Sequence, residues 1–331
     1  MSGERLLTIE ALRVAFRTRA GDVTVVRDLS LALDGGETLC LVGESGSGKS
    51  MTALAVMGLV PAPTGAIRGG SIRLAGEELV GADPERLRRI RGKEIAMIFQ
   101  EPMTALNPVF SIGEQIAETL VAHEGLGRAA ALRQAVELIA AVGIPAPERR
   151  IREYPHQLSG GMRQRAMIAM ALACRPKLVI ADEPTTALDV TVQAQILDLL
   201  KDIQRRFGTA ILLITHDMGV VAEVADRVAV MYAGRKVEEG RAADVLERPV
   251  HPYTRALIAC APRLTVGDGE RELLEEIPGI VPSMLSLPPG CAFEPRCRDA
   301  LPRCRIEAPP EFPLGPHRRS ACWLMSTEKV A

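Results

Sequence analysis

The chain of 331 residues carries 40 Lys and Arg against 41 Asp and Glu, a formal charge of −1, with an aromatic content of only 3%. A protein whose main partner was nucleic acid would show a basic excess and stacking side chains, so these totals lean against that class. Hydrophobic residues at 47% beside charged ones at 24% exclude a disordered chain, and the length suits one large domain with an appendage, or two domains.

The opening MSGERLLTIEALRVAF has no uninterrupted apolar run and no small-residue cleavage site, so export is not expected. From 6 to 33, two runs alternate apolar with polar around the turn signal Ala20-Gly21-Asp22, which predicts short strands. A short apolar run, 38–42, leads into the Gly-rich GESGSGKS. Residues 50–67 are uncharged and nearly long enough to span a bilayer, but Gly58, Pro61 and Pro63 interrupt them. The expectation is a buried helix ending near Leu59, in a chain that does not cross a membrane by itself. Residues 68–80 look like a hairpin punctuated by Gly69-Gly70 and Gly76, and 94–99 like a short buried strand. Helical spacing runs from about 111 to 142, through Ile116, Leu120, Val136 and Ile139, and again from 162 to 173. Residues 178–181 form a continuous apolar run of the kind covered on both faces in parallel sheets. The helix after it carries Val192, Ile196, Leu199, Leu200, Ile203 and Phe207 on one stripe. Buried strands are expected at 210–215 and 228–233. Strands alternating with helices imply a mostly parallel sheet with helices packed on it. Beyond about 249 Pro and Cys become frequent and periodicity fades, as in an appendage without a large core.

Three segments carry chemistry. Gly43-Glu44-Ser45-Gly46-Ser47-Gly48-Lys49-Ser50 lies between an apolar strand and an apolar helix, where a phosphate-cradling loop belongs. Its glycines let backbone N–H groups curl around phosphate oxygens, and the helix start adds a favourable dipole. Lys49 then reaches the β- and γ-phosphates and Ser50 holds Mg²⁺. Asp182, at the end of the 178–181 run, stands at the carboxyl edge of the sheet, placed to hold the Mg²⁺ through water. Glu183 beside it could polarise an attacking water. A lone Asp-Glu after a strand is otherwise a helix cap, and the upstream phosphate loop decides for chemistry. Leu158-Ser159-Gly160-Gly161-Met162-Arg163-Gln164-Arg165 is a second anion-binding helix start. One nucleotide does not need two cradles, so the simplest account is that this one serves a nucleotide held by another subunit.

In this order the motifs resemble the ATP-binding cassette family across residues 5–250. The resemblance implies an α/β P-loop NTPase core with a mostly parallel sheet, a small antiparallel β subdomain and a helical subdomain at about 101–165. It further implies that Phe16 stacks on adenine, that Gln100 senses Mg²⁺ and the attacking water, and that Glu183 is the general base. Ser159, Gly160 and Gly161 would clasp a partner's ATP, Asp189 of Ala187-Leu188-Asp189 would line the dimer seam, and His216 would contact the γ-phosphate. A closer resemblance is to the ATPase subunits of oligopeptide and dipeptide permeases, a group that includes nickel and glutathione importers. It is carried by Gln100-Glu101-Pro102-Met103-Thr104-Ala105-Leu106-Asn107-Pro108, by His251-Pro252-Tyr253-Thr254 and by Pro288-Pro289-Gly290-Cys291. It implies peptide uptake driven by ATP at the cytoplasmic face of a bacterial inner membrane. The implied partners are a homologous, usually distinct ATPase, two multi-pass permease subunits and an external substrate-binding protein, with no nucleic acid. A soluble cassette protein acting on DNA or ribosomes would carry two cassettes or a long coiled-coil insertion, and this chain has neither.

Residues 251–331 read as the permease-type extension, and Cys291, Cys297, Cys304 and Cys322 fall within it. Structural zinc usually shows tighter pairs, longer gaps suit an iron–sulfur cube better, and the resemblance implies a [4Fe–4S] cluster; zinc or unligated thiols are the alternatives. Cys40, Cys174 and Cys260 read as core or helix thiols. The run Arg86, Arg88, Arg89, Arg91 and Lys93 reads as a solvated face, because acids flank it.

Overall fold

Alternating side chains from Arg5 to Asp34 become two long strands, β1 (Arg5–Thr18) and β2 (Gly21–Asp34), in the computed structural model, which describes residues 5–186, 188–260 and 276–326. They are followed by β3 (Thr38–Val42), α1 (Lys49–Val56), β4 (Gly65–Leu74), β5 (Glu77–Glu78), α2 (Pro84–Ile90) and β6 (Ile95–Ile98). Next come α3 (Pro102–Ala105), α4 (Ile112–Glu124), α5 (Arg128–Ala141), α6 (Pro147–Arg150), α7 (Gly160–Ala171), β7 (Leu178–Asp182) and α8 (Val190–Phe207). The remaining described elements are β8 (Ala210–Thr215), α9 (Met218–Val224), β9 (Arg227–Tyr232), β10 (Arg235–Arg241), α10 (Ala242–Glu247), α11 (Pro252–Ala259), β11 (Phe312–Gly315) and β12 (Arg318–Ser320). Two compact units divide the described residues: one takes residues 5–7, Ala32–Thr38 and Arg73–Ile214, the other Thr8–Leu31, Leu39–Ile72 and the described residues from Thr215 onward.

In the first unit β6, β7 and β8 pair in parallel, with Ile95 opposite Leu178 and Val179 opposite Ile211. Every residue of these three strands is buried, which is why they read as unbroken apolar runs. The helical stretch expected at 111–142 is two helices. Ser111 and Glu114 close a capping box at the start of α4, and Gly125, at φ 65, ends it in the left-handed conformation that other residues resist. Ala131, Ala135 and Ile139 form the buried face of α5. On α8 the buried stripe is Ile196, Leu197, Leu200 and Ile203. Phe207 departs from the expected stripe: it is 51% exposed, with the Arg175 guanidinium 5.8 Å from its ring centroid. The basic run around α2 is a solvated face, as expected, with Arg86 paired to Glu77 and Glu94, Arg88 to Glu85, and Lys93 to Glu124.

The second unit holds a sheet in which β3 pairs with β9 in parallel, and β9 with β10 antiparallel. The tail then joins it. β12 pairs antiparallel with β10, setting Ser320 opposite Glu238, and β11 pairs antiparallel with β12. Strands of four and three residues containing Pro313, Gly315 and two arginines have too short a pattern to be legible beforehand. Glu238, 1% exposed, ties the entry of the extension to this sheet. Its carboxylate accepts from the backbone N–H of Val250 and His251 and from Arg318. His251 is 1% exposed, accepts the Tyr253 N–H on Nδ1, and is held neutral by burial, its pKa pulled down to about 3. Among the described residues no helix is long and apolar enough to cross a membrane. Within the uncharged 50–67 stretch, α1 ends at Val56, just before Gly58 turns the chain at φ 62.

Candidate active site

The phosphate-type loop starts from a rigid base, because all five residues of β3 are buried. Gly43, at φ 151, cannot carry a side chain: a Cβ would stand 2.2 Å from the Met231 carbonyl oxygen. Gly48, at φ 100, would place one 2.6 Å from the Val25 carbonyl oxygen. These two contacts fix the loop's path. Lys49 is 5% exposed, and its Nζ donates to the carbonyls of Gly43 at 2.8 Å and Glu44 at 3.0 Å. Ser45, Gly46 and Ser50 are exposed, while Ser47 is buried and accepts the Gly234 N–H. Phe16 is half-buried with its ring laid on Gly65, where a Cβ would come 2.7 Å from Cε1. His216 is exposed on the turn before α9, which Asp217 caps through the Gly219 N–H at 2.7 Å.

In the first unit the structure brings Gln100 and Glu183 together. Gln100 Nε2 donates to Glu183 Oε2 at 2.9 Å, and Thr186 Oγ1 donates to the same oxygen at 3.0 Å. Asp182, the last residue of β7, is buried at 7% exposure. Glu183 follows at φ 46, a conformation costly for a residue with a Cβ, and its N–H is held by the Ile214 carbonyl at 2.9 Å. A carboxylate at the end of a buried parallel strand, oriented by an amide, is placed to take a proton from water.

Ser159 caps α7 by accepting the Met162 N–H at 3.3 Å. A Cβ on Gly160 would meet nothing within 4 Å, whereas on Gly161 it would stand 2.9 Å from Val192 Cγ1. Asp189 caps α8 through the Val192 N–H at 2.9 Å, so the signature segment and the Asp189 cap converge on Val192. Ala187 lies outside the described residues.

Residues 100–110 form a loop braced by one side chain. Gln115 accepts the Asn107 N–H and donates to the carbonyls of Asn107 and Phe110. That bracing leaves Met103, Val109 and Phe110 exposed. A groove of about 410 Å³ lies beside Phe110, lined also by Ala117, Val121 and Leu132.

Of the tail cysteines, Cys291 donates its N–H to the Cys304 carbonyl at 2.8 Å. Burial, and then the neighbouring thiols of this group, push the Cys291 and Cys322 thiols up to about 11; burial also raises that of Cys297, with the Asp299 charge and then Cys304 adding to it. The four sulfurs therefore share one electrostatic neighbourhood. Among the described residues, however, no three His, Cys, Asp or Glu side chains are arranged as the ligand set of a metal ion. Cys40 is fully buried, with its thiol pushed well above the ordinary range by desolvation.

Residues 26–186 match the family described as ABC transporter, and residues 237–304 the family described as oligopeptide/dipeptide transporter, C-terminal region. The oligopeptide transport ATP-binding protein OppD of Salmonella typhimurium is 53% identical over 96% of this chain and 93% of its own length. OppD of Escherichia coli is 52% identical over 97% and 93%, and OppD of Bacillus subtilis 50% over 97% and 89%. The chain belongs to the ABC transporter ATPases of the oligopeptide/dipeptide type. Among solved structures, the dimeric post-hydrolysis state of the ATP-binding cassette MJ0796 bound to ADP and Pi is similar, at TM-score 0.65 and 26% identity over 72% of this chain and 99% of that one. So is cbiO1 from Clostridium perfringens, part of the ABC transporter complex cbiONQ, at TM-score 0.63 and 25% identity over 74% and 92%.

The contacts of three residues of this ABC ATPase escape a reading of motifs alone. Gln164, 2% exposed, donates to the Pro184 carbonyl at 2.6 Å, tying α7 to the turn after Glu183. Tyr253 and Arg296, from the extension, both grip Glu44 of the phosphate loop. The Tyr253 hydroxyl accepts the Glu44 N–H at 2.8 Å, and Arg296 donates to both Glu44 carboxylate oxygens, at 2.8 and 3.0 Å. Burial opposes the Arg296 charge, but Glu44 and Tyr232 outweigh it and hold the guanidinium firmly protonated. The available signal was Glu44 itself, an acid in a loop meant for anions.

Proposed function

We propose that this chain is the ATP-hydrolysing subunit of an importer that takes up di- and oligopeptides, seated on the cytoplasmic face of a bacterial inner membrane. The observation that carries the reading is the near-full-length match to oligopeptide transport ATP-binding proteins, extending through the C-terminal region. In the proposed cycle Lys49 and the loop N–H groups bind the β- and γ-phosphates, with Phe16 against the base. Ser50, Gln100 and Asp182 would hold Mg²⁺, which draws charge from the phosphates when bound. Glu183, oriented by Gln100, takes the proton of the attacking water, and His216 steadies the γ-phosphate. Ser159, Gly160 and Gly161 would close over the ATP of a second, homologous ATPase, with Asp189 at the seam. The dimeric state of the similar MJ0796 cassette supports this arrangement. Exposed Met103, Val109 and Phe110 on a braced loop suit docking against two membrane permease subunits, which an external binding protein would supply with cargo. Residues 5–250 would form the nucleotide-binding domain, with its helical part at about 101–165, and 251–331 the extension. Deleting the gene should abolish uptake of labelled short peptides, with the gene on a plasmid restoring it; intact uptake in the deletion strain would refute the cargo assignment.

We further infer that Cys291, Cys297, Cys304 and Cys322 hold a [4Fe–4S] cluster. Four cysteines whose thiols sense one another supply the donor type of such a cluster, although no three of them are arranged here as the ligand set of a metal ion. The raised pKa values of Cys291, Cys297 and Cys322 mean that loading must displace protons and will weaken as pH falls. Full-length chain purified without air should contain about four iron and four sulfide per polypeptide, and replacing Cys297 by Ser should remove most of both. Zinc in place of iron, or no bound metal, would overturn this assignment.

A further inference from the structure

We propose that the C-terminal extension supplies two positioning residues to the phosphate loop, Arg296 and Tyr253, and that Arg296 serves to cancel the negative charge the loop itself carries at Glu44. The proposal rests on the ATP-hydrolysing function inferred above. A loop whose N–H groups cradle a triphosphate is a poor place for an uncompensated carboxylate, since like charges a few ångströms apart repel strongly where water is scarce. Glu44 is the second residue of that loop, and its carboxylate is met by a two-pronged fork from Arg296. A fork of this kind fixes the direction of a carboxylate as well as neutralising it.

The fork is itself held in place. The Arg296 side chain is 4% exposed, and its other donor contacts go to the carbonyls of Pro278 and Ile277 and to the Tyr232 hydroxyl. Swinging away would strand buried acceptors. Tyr253 acts on the backbone instead. By accepting the Glu44 N–H it takes this donor out of the cradle and fixes the loop's first turn. Its ring is gripped by Tyr232, at 4.6 Å between centroids, and by Phe293, at 5.3 Å. Arg296 rides on a turn that begins and ends in cysteine: Glu294 donates its N–H to the Cys291 carbonyl, Arg296 to Phe293, and Cys297 to Glu294. Whatever orders Cys291 and Cys297 therefore orders the guanidinium that faces the phosphate loop.

The test is MgATP hydrolysis by the full chain in its assembled transporter, with R296Q and the double variant R296Q/E44Q compared with the unaltered protein. R296Q should raise the KM for ATP about tenfold, one 1.4 kcal/mol step, while kcat changes by less than about twofold. R296Q/E44Q, which removes the exposed charge together with its partner, should bring KM back to within about threefold of the unaltered value. Rescue of this kind cannot come from a purely structural role, because the double variant lacks the ion pair altogether. An unchanged KM in folded R296Q, or a double variant as impaired as R296Q, overturns the proposal. If R296Q is not recovered folded, the double variant decides alone by the same threshold. Failure of both to fold would assign the pair to stability and overturn it too. Absence of hydrolysis by the unaltered protein would instead refute the ATPase function, leaving a separate signature.

Discussion

Replacing Glu183 by Gln should cut ATP turnover by about 10²- to 10⁴-fold, the usual weight of a positioned general base, while ATP affinity stays within a few-fold. The substitution keeps the volume of the side chain and an oxygen that can accept from Gln100 and Thr186, which now converge on Glu183 Oε2. What it removes is the ability to take a proton from water. Backbone geometry points the same way. Glu183 sits at φ 46, a conformation that costs about 1–3 kcal/mol and persists only where the surroundings enforce it. Here the enforcement is the Glu183 N–H bond to Ile214. Steady-state hydrolysis paired with equilibrium nucleotide binding reads the result, and an E183Q protein that turns over normally would remove Glu183 from the role of base.

The second large effect should come from Lys49→Ala, and it should fall on binding. Lys49 is buried at 5% exposure, with Nζ held by the Gly43 and Glu44 carbonyls at the lip of the loop. A hydrogen bond to a charged group contributes about 1.5–3 kcal/mol, so losing the ammonium should weaken ATP binding about tenfold to a hundredfold. Titration of the full chain with a fluorescent ATP analogue measures this, with a thermal melt to establish that the variant is folded. K49A with undiminished affinity would mean that the loop does not hold the triphosphate in the proposed way. Together the variants separate two steps, since E183Q should bind and not hydrolyse whereas K49A should scarcely bind.

The strands that pass through the interior were legible because complete burial writes itself as an unbroken apolar run: β3, β7 and β8 lie where 38–42, 178–181 and 210–215 placed them. The break between α4 and α5 was less visible, because the apolar spacing continues on both sides of Gly125 and only its left-handed backbone ends the helix. Phe207 shows the opposite limit, since helical spacing puts it on the buried stripe while its place at the end of α8 leaves it in solvent under Arg175. Long-range partners were the least legible. Nothing near Arg296 marks it as different from other arginines of the tail, and its partner Glu44 lies 252 residues earlier in the chain. Likewise His251-Pro252-Tyr253 stood out as a family mark, but its physical content, a buried neutral imidazole and a phenol on the phosphate loop, appears only once the chain is folded.

The short hairpin of β11 and β12 has one more consequence. β10 would otherwise present a row of unpaired backbone donors and acceptors, a template for any extended chain that drifted past. β12 occupies that margin, and the outermost strand, β11, is only four residues long and interrupted by Pro313, a poor template for further pairing. A chain cut short before Phe312 would keep its loops and helices yet expose a sticky border, and its characteristic failure would be clumping with its own copies.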